Sequence, residues 1–218
     1  MMSLTNFFVS GGIVAWPLLI FSLLGVALII ERAIFWYRIK SRQHKIVTTV
    51  LKLYRVDQRV AAIAKLKQNL DLPICRIFLE ALALENATPT EFRLALETAT
   101  QAELPLFKRF NTLFQTIIAV SPLLGLLGTI LGLMQSFASL DIGNVAGTNA
   151  AGVTGGISEA LTSTVMGLVV AIFTLLFANS FRSFYLRQLA LIQEYGGQLE
   201  LLYRLFYEKG GKTYATSR

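Results

Sequence analysis

The chain has 218 residues, of which 54% are hydrophobic and 15% are charged, and its mean hydropathy is +0.58. These values favour a small membrane bundle over a soluble domain of the same length. The net charge of +7 raises the question of nucleic-acid binding. No recognisable binding motif accompanies the basic residues, so we expect no nucleic-acid partner.

The basic residues are unevenly distributed along the chain. Residues 1–31 and 110–181 contain no Lys or Arg, whereas all 20 basic residues lie between Arg32 and Arg109 or from Arg182 onward. A hydrocarbon span of about 20 residues does not tolerate ionised side chains cheaply. The positive-inside rule then places both basic blocks in the cytoplasm, with the N-terminus and the segment around 141–154 outside.

Residue types that carry catalysis or bind metals are scarce in this sequence. Cys75 is the only cysteine and His44 the only histidine, so neither an intrachain disulfide nor a metal site is expected. Cys75 is interpreted as a packed thiol, and His44 as part of a solvated juxtamembrane segment. Because no nucleotide-binding loop or catalytic triad is present either, the sequence predicts neither an enzyme nor a cofactor.

The apolar tracts predict three transmembrane helices, the first of which is retained rather than cleaved because no cation precedes its long apolar run. In chain order, the predicted segments are an external anchor (1–12), a first span (13–37), a cytoplasmic helical region (38–112), a second span (113–138), a periplasmic loop (139–154), a third span (155–181) and a cytoplasmic helix (182–218).

Two local signals refine these boundaries. Thr88, Pro89 and Glu91 resemble a capping box with proline at the first helical position, which predicts a helix start. We expect this helix to run through Pro105, with a bend, directly into the second span. The glycine pair at 210–211 is expected to end the last helix.

Small residues recur along one side of the second and third spans. Lipid tails are as apolar as leucine, so transmembrane helices associate largely by close packing through small side chains. The stripes therefore predict that these spans pack against other helices. The predicted packing positions are Gly125, Gly128, Gly132, Ala160, Gly167 and Ala171.

Three polar residues within the spans are candidates for a functional role. At 1.5 Å per residue, Thr129 and Thr164 are predicted to lie at depths that agree within a few ångströms, as members of one polar ring. The alternative is that each hydroxyl bonds to the carbonyl four residues earlier, at Gly125 and Ala160. Glu159 falls in the predicted first turn of the third span, which suits either a helix-dipole role or a role in ion uptake.

Two longer motifs resemble a known family. Residues 121–132 (SPLLGLLGTILG) resemble the second-span signature of the ExbB/TolQ family of proton-channel proteins, which are related to the flagellar stator protein MotA, and residues 156–164 (GISEALTST) resemble its third-span signature. Glu31 and Arg32 match at the end of the first span. One departure is Phe173, since family members usually have proline there, which puts the kink that this proline provides in question.

The resemblance implies an all-α membrane protein of the bacterial inner membrane, with three transmembrane helices and long cytoplasmic helical extensions. It further implies an oligomeric bundle, a homopentamer, around a central pore that holds two single-span ExbD/TolR-like subunits, each with an essential aspartate. Thr129, Thr164 and Glu159 would then be pore-lining or proton-pathway residues. A TonB/TolA-like energy transducer and membrane lipids complete the implied partners.

The predicted function is therefore a stator subunit that converts proton-motive force into work for outer-membrane transport, like ExbB with ExbD and TonB. A TolQ-like role in envelope maintenance is the alternative within the family. Outside it, a passive scaffold explains the small-residue stripes but not the matched threonines. A substrate carrier is disfavoured because neither internal repeats nor a pair of broken helices is evident.

The predicted topology is tested by cysteine scanning in intact spheroplasts. An impermeant thiol reagent is expected to label Gly147→Cys, in the predicted external loop, but not Thr213→Cys, because the positive-inside rule places the C-terminal segment in the cytoplasm. Labelling in the opposite sense would contradict the orientation of all three helices.

Overall fold

The computed structural model describes residues 11–84, 87–139 and 150–215. They form six helices: α1 (Ala15–Arg55), α2 (Arg59–Lys67), α3 (Pro73–Leu82), α4 (Pro89–Phe107), α5 (Asn111–Ala138) and α6 (Ala150–Ala215). Three stretches, Ala15–Arg55, Pro89–Ala138 and Gly152–Lys209, are long and apolar enough to cross a membrane. The predicted all-α membrane protein is thus confirmed. Residues 1–10 of the predicted external anchor and most of the predicted periplasmic loop lie outside the described residues.

The chain divides into two compact units. The first, here called the apolar unit, comprises Met1–Arg32 and Phe110–Phe181, and the second, the basic unit, comprises Ala33–Arg109 and Arg182–Arg218. These boundaries fall within one residue of the ends of the tracts that lack Lys and Arg. The distribution of charge along the sequence therefore marks the division of the fold.

In the apolar unit, α5 and α6 approach so closely that their backbones touch. A Cβ added at Gly132 would lie 2.6 Å from the carbonyl oxygen of Gly156, and one at Gly125 would lie 3.0 Å from that of Ser163. A Cβ at Gly167 would meet the carbonyl oxygen of Ser121 at 2.5 Å. Side chains at these positions would hold the helices apart.

Helix α1 completes the apolar unit. A Cβ at its Gly25 would lie 3.3 Å from Thr174 Oγ1 of α6. Four residues further along α1, Ile29 forms a buried cluster with Phe114 of α5 and Ala178 of α6. All three long helices therefore contribute to the interior of this unit.

The expected continuous helix from residue 89 into the second span is wrong. Helix α4 continues through Pro105 but ends at Phe107, and α5 begins at Asn111. Between them Phe110 has a φ of 66°, the left-handed region, which interrupts the helical hydrogen-bond ladder. Its ring lies 5.5 Å from the guanidinium carbon of Arg32, a tertiary contact that accompanies the break.

Arg32 is buried, with 2% of its surface exposed, although it is charged. Its Nε donates to Glu31 Oε2 at 2.7 Å and its Nη2 to Glu31 Oε1 at 3.1 Å. A buried charge is costly unless it is paired, so this bidentate pair together with the Phe110 ring accounts for the position. The two residues pair with each other within the chain.

The expected boundaries of the last helix are also wrong at both ends. Helix α6 begins at Ala150 and continues through residues 210–211 to Ala215. A helical glycine costs only about 1 kcal/mol relative to alanine, so the pair alone does not end a helix. At the other end, Gly152 and Gly156 are helical where they pack against Ser139, the residue that follows α5, and Ser136 of α5.

The predicted capping box is confirmed in the basic unit. The Thr88 backbone N–H donates to Glu91 Oε2 at 2.7 Å, and the Glu91 N–H donates to Thr88 Oγ1 at 3.3 Å, with Pro89 at the first helical position. The backbone N–H and then the hydroxyl of Thr88 lower the pKa of Glu91. Helix α4 therefore starts where the sequence places it.

Polar contacts connect the long helices of the basic unit. Gln188 Nε2 of α6 donates to Gln43 Oε1 of α1 at 2.6 Å, and both residues are buried. His44 Nδ1 lies 2.8 Å from the Tyr195 hydroxyl, so this exposed histidine has a partner on α6. Arg76 of α3 makes a bidentate pair with Glu103 of α4, with both N–O distances 2.6 Å.

Cys75 is fully buried in α3, as its interpretation as a packed thiol requires. Burial, followed by the charge of Asp71, raises its pKa to about 12. The thiolate, which is the reactive form, is therefore scarce at neutral pH in the folded protein.

We expect Cys75 to be inert toward a maleimide in the native protein at pH 7–8 and to react after denaturation in SDS, because unfolding removes the burial that raises its pKa. Mass spectrometry of both samples measures the modification. Equal labelling of the native and denatured chains would contradict the packing of α3.

The close approach of α5 and α6 predicts that Gly132→Leu weakens the protein. Overpacking costs about 1–3 kcal/mol in a well-packed core, and here the new side chain would meet backbone atoms, which cannot rotate away. Native mass spectrometry and thermal unfolding measure the loss of oligomer and of stability. Gly155→Leu is the matched control, since nothing lies within 4 Å of a Cβ at Gly155. An intact oligomer with full activity in Gly132→Leu would contradict this placement.

Candidate functional site

The candidate site lies along the contact between α5 and α6 in the apolar unit. Gly125 of α5 lies against Ser163 and Thr164, and Gly132 lies against Gly156 and Ala160. The helices are antiparallel at this contact, because the residue numbers rise on one helix as they fall on the other. The contact fixes which residues of α5 and α6 share a depth in the membrane.

Thr164 is half-buried and bonds across the helix contact. Its Oγ1 donates to the carbonyl oxygen of Gly125 at 3.3 Å, a distance beyond the usual range for a hydroxyl donor. The hydroxyl of Ser163 reaches the same oxygen at 3.3 Å and also donates to the Ala160 carbonyl at 2.9 Å. Two hydroxyl groups of α6 therefore lie within 3.3 Å of the carbonyl oxygen of Gly125.

Thr129 is also half-buried and bonds within its own helix. Its Oγ1 donates to the Leu126 carbonyl oxygen at 2.6 Å, three residues earlier in the chain. The alternative in which both threonines bond four residues back, to Gly125 and Ala160, is therefore not what the structure contains. The Ala160 carbonyl oxygen accepts a hydrogen bond from Ser163 and not from Thr164.

The helix register gives the relative depth of the two threonines. Thr129 is four residues from Gly125 toward Gly132, or about 6 Å along the axis. The contacts of Gly125 with Thr164 and of Gly132 with Gly156 and Ala160 then place Thr129 level with about residue 161. The two threonines differ in depth by about 4–5 Å, and each hydroxyl donates to a backbone carbonyl rather than to the other threonine.

Glu159 does not act on the dipole of its own helix. Helix α6 begins at Ala150, so Glu159 is its tenth residue, whereas the dipole effect falls off within the first turn. The half-buried carboxylate lies instead against Gly12, which precedes the start of α1. The third span was predicted to begin at residue 155, which wrongly placed Glu159 in the first turn of its helix.

The predicted packing residues are all buried. Gly125, Gly128 and Gly132 are buried on α5, and Ala160, Gly167 and Ala171 are buried on α6. A Cβ at Gly128 would overlap the side chain of Ser163. Small residues at these positions allow α5, which carries Thr129, and α6, which carries Thr164, to lie close together.

Three buried serines of the apolar unit are not among the functional residues predicted from the sequence. Ser163 and Ser121 are fully buried, and Ser136 is 3% exposed. Ser136 Oγ donates to the Val153 carbonyl oxygen at 3.0 Å, and Ser121 Oγ donates to the Ile117 carbonyl at 2.7 Å. Their positions within the small-residue stripes were the available signal.

Phe173 replaces the family's usual proline without disturbing the helix. Helix α6 is continuous through this position, because phenylalanine retains the backbone N–H that proline lacks. The side chain is 48% exposed and lies 5.0 Å from the ring of Phe177. Within 11–84, 87–139 and 150–215, no group of three or more His, Cys, Asp or Glu side chains is arranged to hold a metal ion.

Comparison with known proteins shows the family to which the chain is similar. The model of the MotA/TolQ/ExbB proton channel family matches residues 69–194, which is more than half of the chain. ExbB-like 3 of Synechocystis sp., a biopolymer transport protein by name, is 73% identical over 210 residues, covering 96% of this chain and 100% of its own.

Two further relatives are more distant. ExbB-like 1 of Synechocystis sp. is 38% identical over 203 residues, covering 92% of this chain and 80% of its own. The biopolymer transport protein ExbB of Salmonella typhimurium is 45% identical over 73 residues, which are 34% of this chain and 29% of its own. The protein therefore belongs to the MotA/TolQ/ExbB proton channel family.

Proposed function

We propose that this chain is the stator, or proton-channel, subunit of a motor in the bacterial inner membrane. The motor converts proton-motive force into work for outer-membrane transport, with an ExbD-like single-span subunit and a TonB-like energy transducer as partners. Membership of the family, the names of the relatives and the three apolar helices support this function. A TolQ-like role in envelope maintenance would use the same chemistry with a different transducer.

The observation that carries the proposal is that the apolar unit presents the hydroxyl groups of Thr129 and Thr164 with a single carboxylate near their level. Residues 1–31 and 110–181 contain only three acidic residues, Glu31, Asp141 and Glu159. Glu31 is beside Arg32 at the predicted cytoplasmic end, and Asp141 is in the predicted external loop. Glu159 is two residues from the level of Thr129, or about 3 Å in depth, and its carboxylate lies against Gly12. The group that carries the proton past both threonines is therefore proposed to come from another chain.

In the proposed mechanism this group is a membrane-embedded aspartate of the partner. Burial among apolar side chains disfavours its charged form and raises its pKa. The hydroxyls of Thr129 and Thr164, or a water that they hold, stabilise the deprotonated form. The aspartate can then release its proton without leaving an uncompensated buried charge.

The two threonines differ in how readily they can serve. A hydroxyl has one proton to donate, so each must give up its backbone carbonyl to bind a carboxylate. The 3.3 Å bond of Thr164 to the Gly125 oxygen is weaker than the 2.6 Å bond of Thr129 to the Leu126 oxygen. Thr164 is therefore the more available donor.

The exposed surface of the apolar unit supports an oligomer in lipid. Large apolar side chains on both α5 and α6 are exposed in the single chain: Leu126, Ile130, Leu133, Leu161, Val165 and Leu168. Lipid covers part of such a surface, and helices of other subunits cover the rest. We propose a homopentamer around a pore that holds two copies of the partner helix, with the N-terminus in the periplasm and the C-terminus in the cytoplasm.

Thr129→Val and Thr164→Val are expected to leave assembly with the partner intact and to remove most proton-driven function. Valine keeps the shape of threonine but not its hydroxyl. A hydrogen bond to a charged group contributes about 1.5–3 kcal/mol, so the rate of the proton step should fall about tenfold or more. Proton flux in liposomes containing the partner complex, beside co-purification of the partner, measures both effects.

Thr174→Val is the matched control on the same helix. The Thr174 hydroxyl donates to the Val170 carbonyl at 2.7 Å, is buried and packs against Gly25 of α1. We expect this variant to be milder than either of the other two. Wild-type flux in the Thr129→Val, Thr164→Val double variant would reject the role of the threonines while leaving the topology unaffected.

A further inference from the structure

The turn that precedes α1 contains a glycine with a positive φ, and this glycine lies outside the two family motifs at 121–132 and 156–164. Gly12 has a φ of 65°, a backbone conformation that residues with a Cβ rarely adopt. Its carbonyl oxygen accepts a hydrogen bond from the Ala15 N–H at 3.1 Å, which closes the turn at the start of the helix. The turn brings the backbone of Gly12 to the side of α6.

The carboxylate of Glu159 occupies the space in which a side chain at position 12 would lie. A Cβ built on Gly12 would overlap Oε1 and Cδ of Glu159 and would lie 3.0 Å from its Cγ. The three atoms nearest to that position thus all belong to one carboxylate side chain. A side chain at position 12 and the observed position of Glu159 exclude each other.

The turn itself has little freedom to move aside. Val14, Ala15 and Leu18, which follow Gly12, are 4%, 1% and 1% exposed. A Cβ at Gly128 of α5 would lie 3.5 Å from Cβ of Val14, so this end of α1 packs on α5. A side chain at position 12 would therefore displace the Glu159 carboxylate rather than the turn.

We propose that Gly12 is a positioning residue for Glu159, so that the start of α1 holds the carboxylate against the outer part of the α5–α6 contact. The start of α6 is nine residues away from Glu159, so the terminus of its own helix does not position the carboxylate. The consequence for proton flux rests on the proposed function, but the positioning does not.

A double-mutant cycle on the complex with its partner tests the positioning. Gly12→Ala is expected to lower the midpoint of thermal unfolding, and its effect should shrink to less than about half in a Glu159→Ala background, because the atoms that it meets are gone. The strain of alanine at a positive φ is the same in both backgrounds. In a Glu159→Gln background, which keeps the shape, the full effect of Gly12→Ala should remain.

Gly155→Ala is the matched control, because a Cβ there meets nothing within 4 Å. It should lower the midpoint neither in the wild type nor in the Glu159→Ala background. Equal effects of Gly12→Ala in the wild-type and Glu159→Ala backgrounds would overturn the proposal. If Gly12→Ala fails to assemble, co-purification replaces thermal unfolding: assembly restored by Glu159→Ala supports the proposal, and failure to restore it overturns it.

Proton flux separates the positioning from the proposed function. We expect Gly12→Ala to lower the flux about as much as Glu159→Ala, and the double variant to be no worse than Glu159→Ala alone. Coupled thermal midpoints with unchanged flux in Glu159→Ala would support the positioning and reject the role of Glu159 in the proton pathway.

Discussion

Helices in hydrocarbon gain little from burying apolar side chains, because lipid tails are as apolar as those side chains are. What remains is close contact, which depends on how nearly two backbones can approach. In this protein the approach is made at Gly125, Gly132 and Gly167, where an added Cβ would lie within 3.0 Å of a carbonyl oxygen on the facing helix. The spacing of α5 and α6, and with it the register of every polar group between them, depends on the absence of these side chains.

The hydroxyl network follows from that contact. The carbonyl oxygen of Gly125 is within reach of Ser163 and Thr164 only because the two helices touch at this glycine. An unsatisfied polar group is expensive in lipid, so each buried serine and each of the two threonines donates to a backbone oxygen.

Charged side chains, unlike hydroxyl groups, are almost absent from the apolar unit. The apolar unit contains one cationic residue, Arg32, and its charge is paired with Glu31 in the chain itself. The carboxylate of Glu159 lies against Gly12, in the turn that precedes α1. In the proposed proton pathway, this unit contributes the hydroxyls of Thr129 and Thr164 and the carboxylate of Glu159, and a partner chain contributes the remaining titratable group.

Much of the fold follows from the sequence because lipid imposes rules that act locally. The long apolar tracts, the placement of Lys and Arg and the capping box at Thr88 each depend on residues close together in the chain. The small-residue stripes likewise indicate which faces of the helices pack, since any partner backbone requires small side chains there. The family itself was evident from two short motifs, at 121–132 and 156–164.

Tertiary structure alone decided the remaining features. The left-handed Phe110 interrupts the helix where its ring meets Arg32, 78 positions away in the chain. Helix α6 begins earlier than predicted where Gly152 and Gly156 pack on α5, and Gly12 faces Glu159 across the same unit. Local sequence propensities do not predict these features, because the contacts that stabilise them join residues that are distant in the chain and meet only in the folded protein.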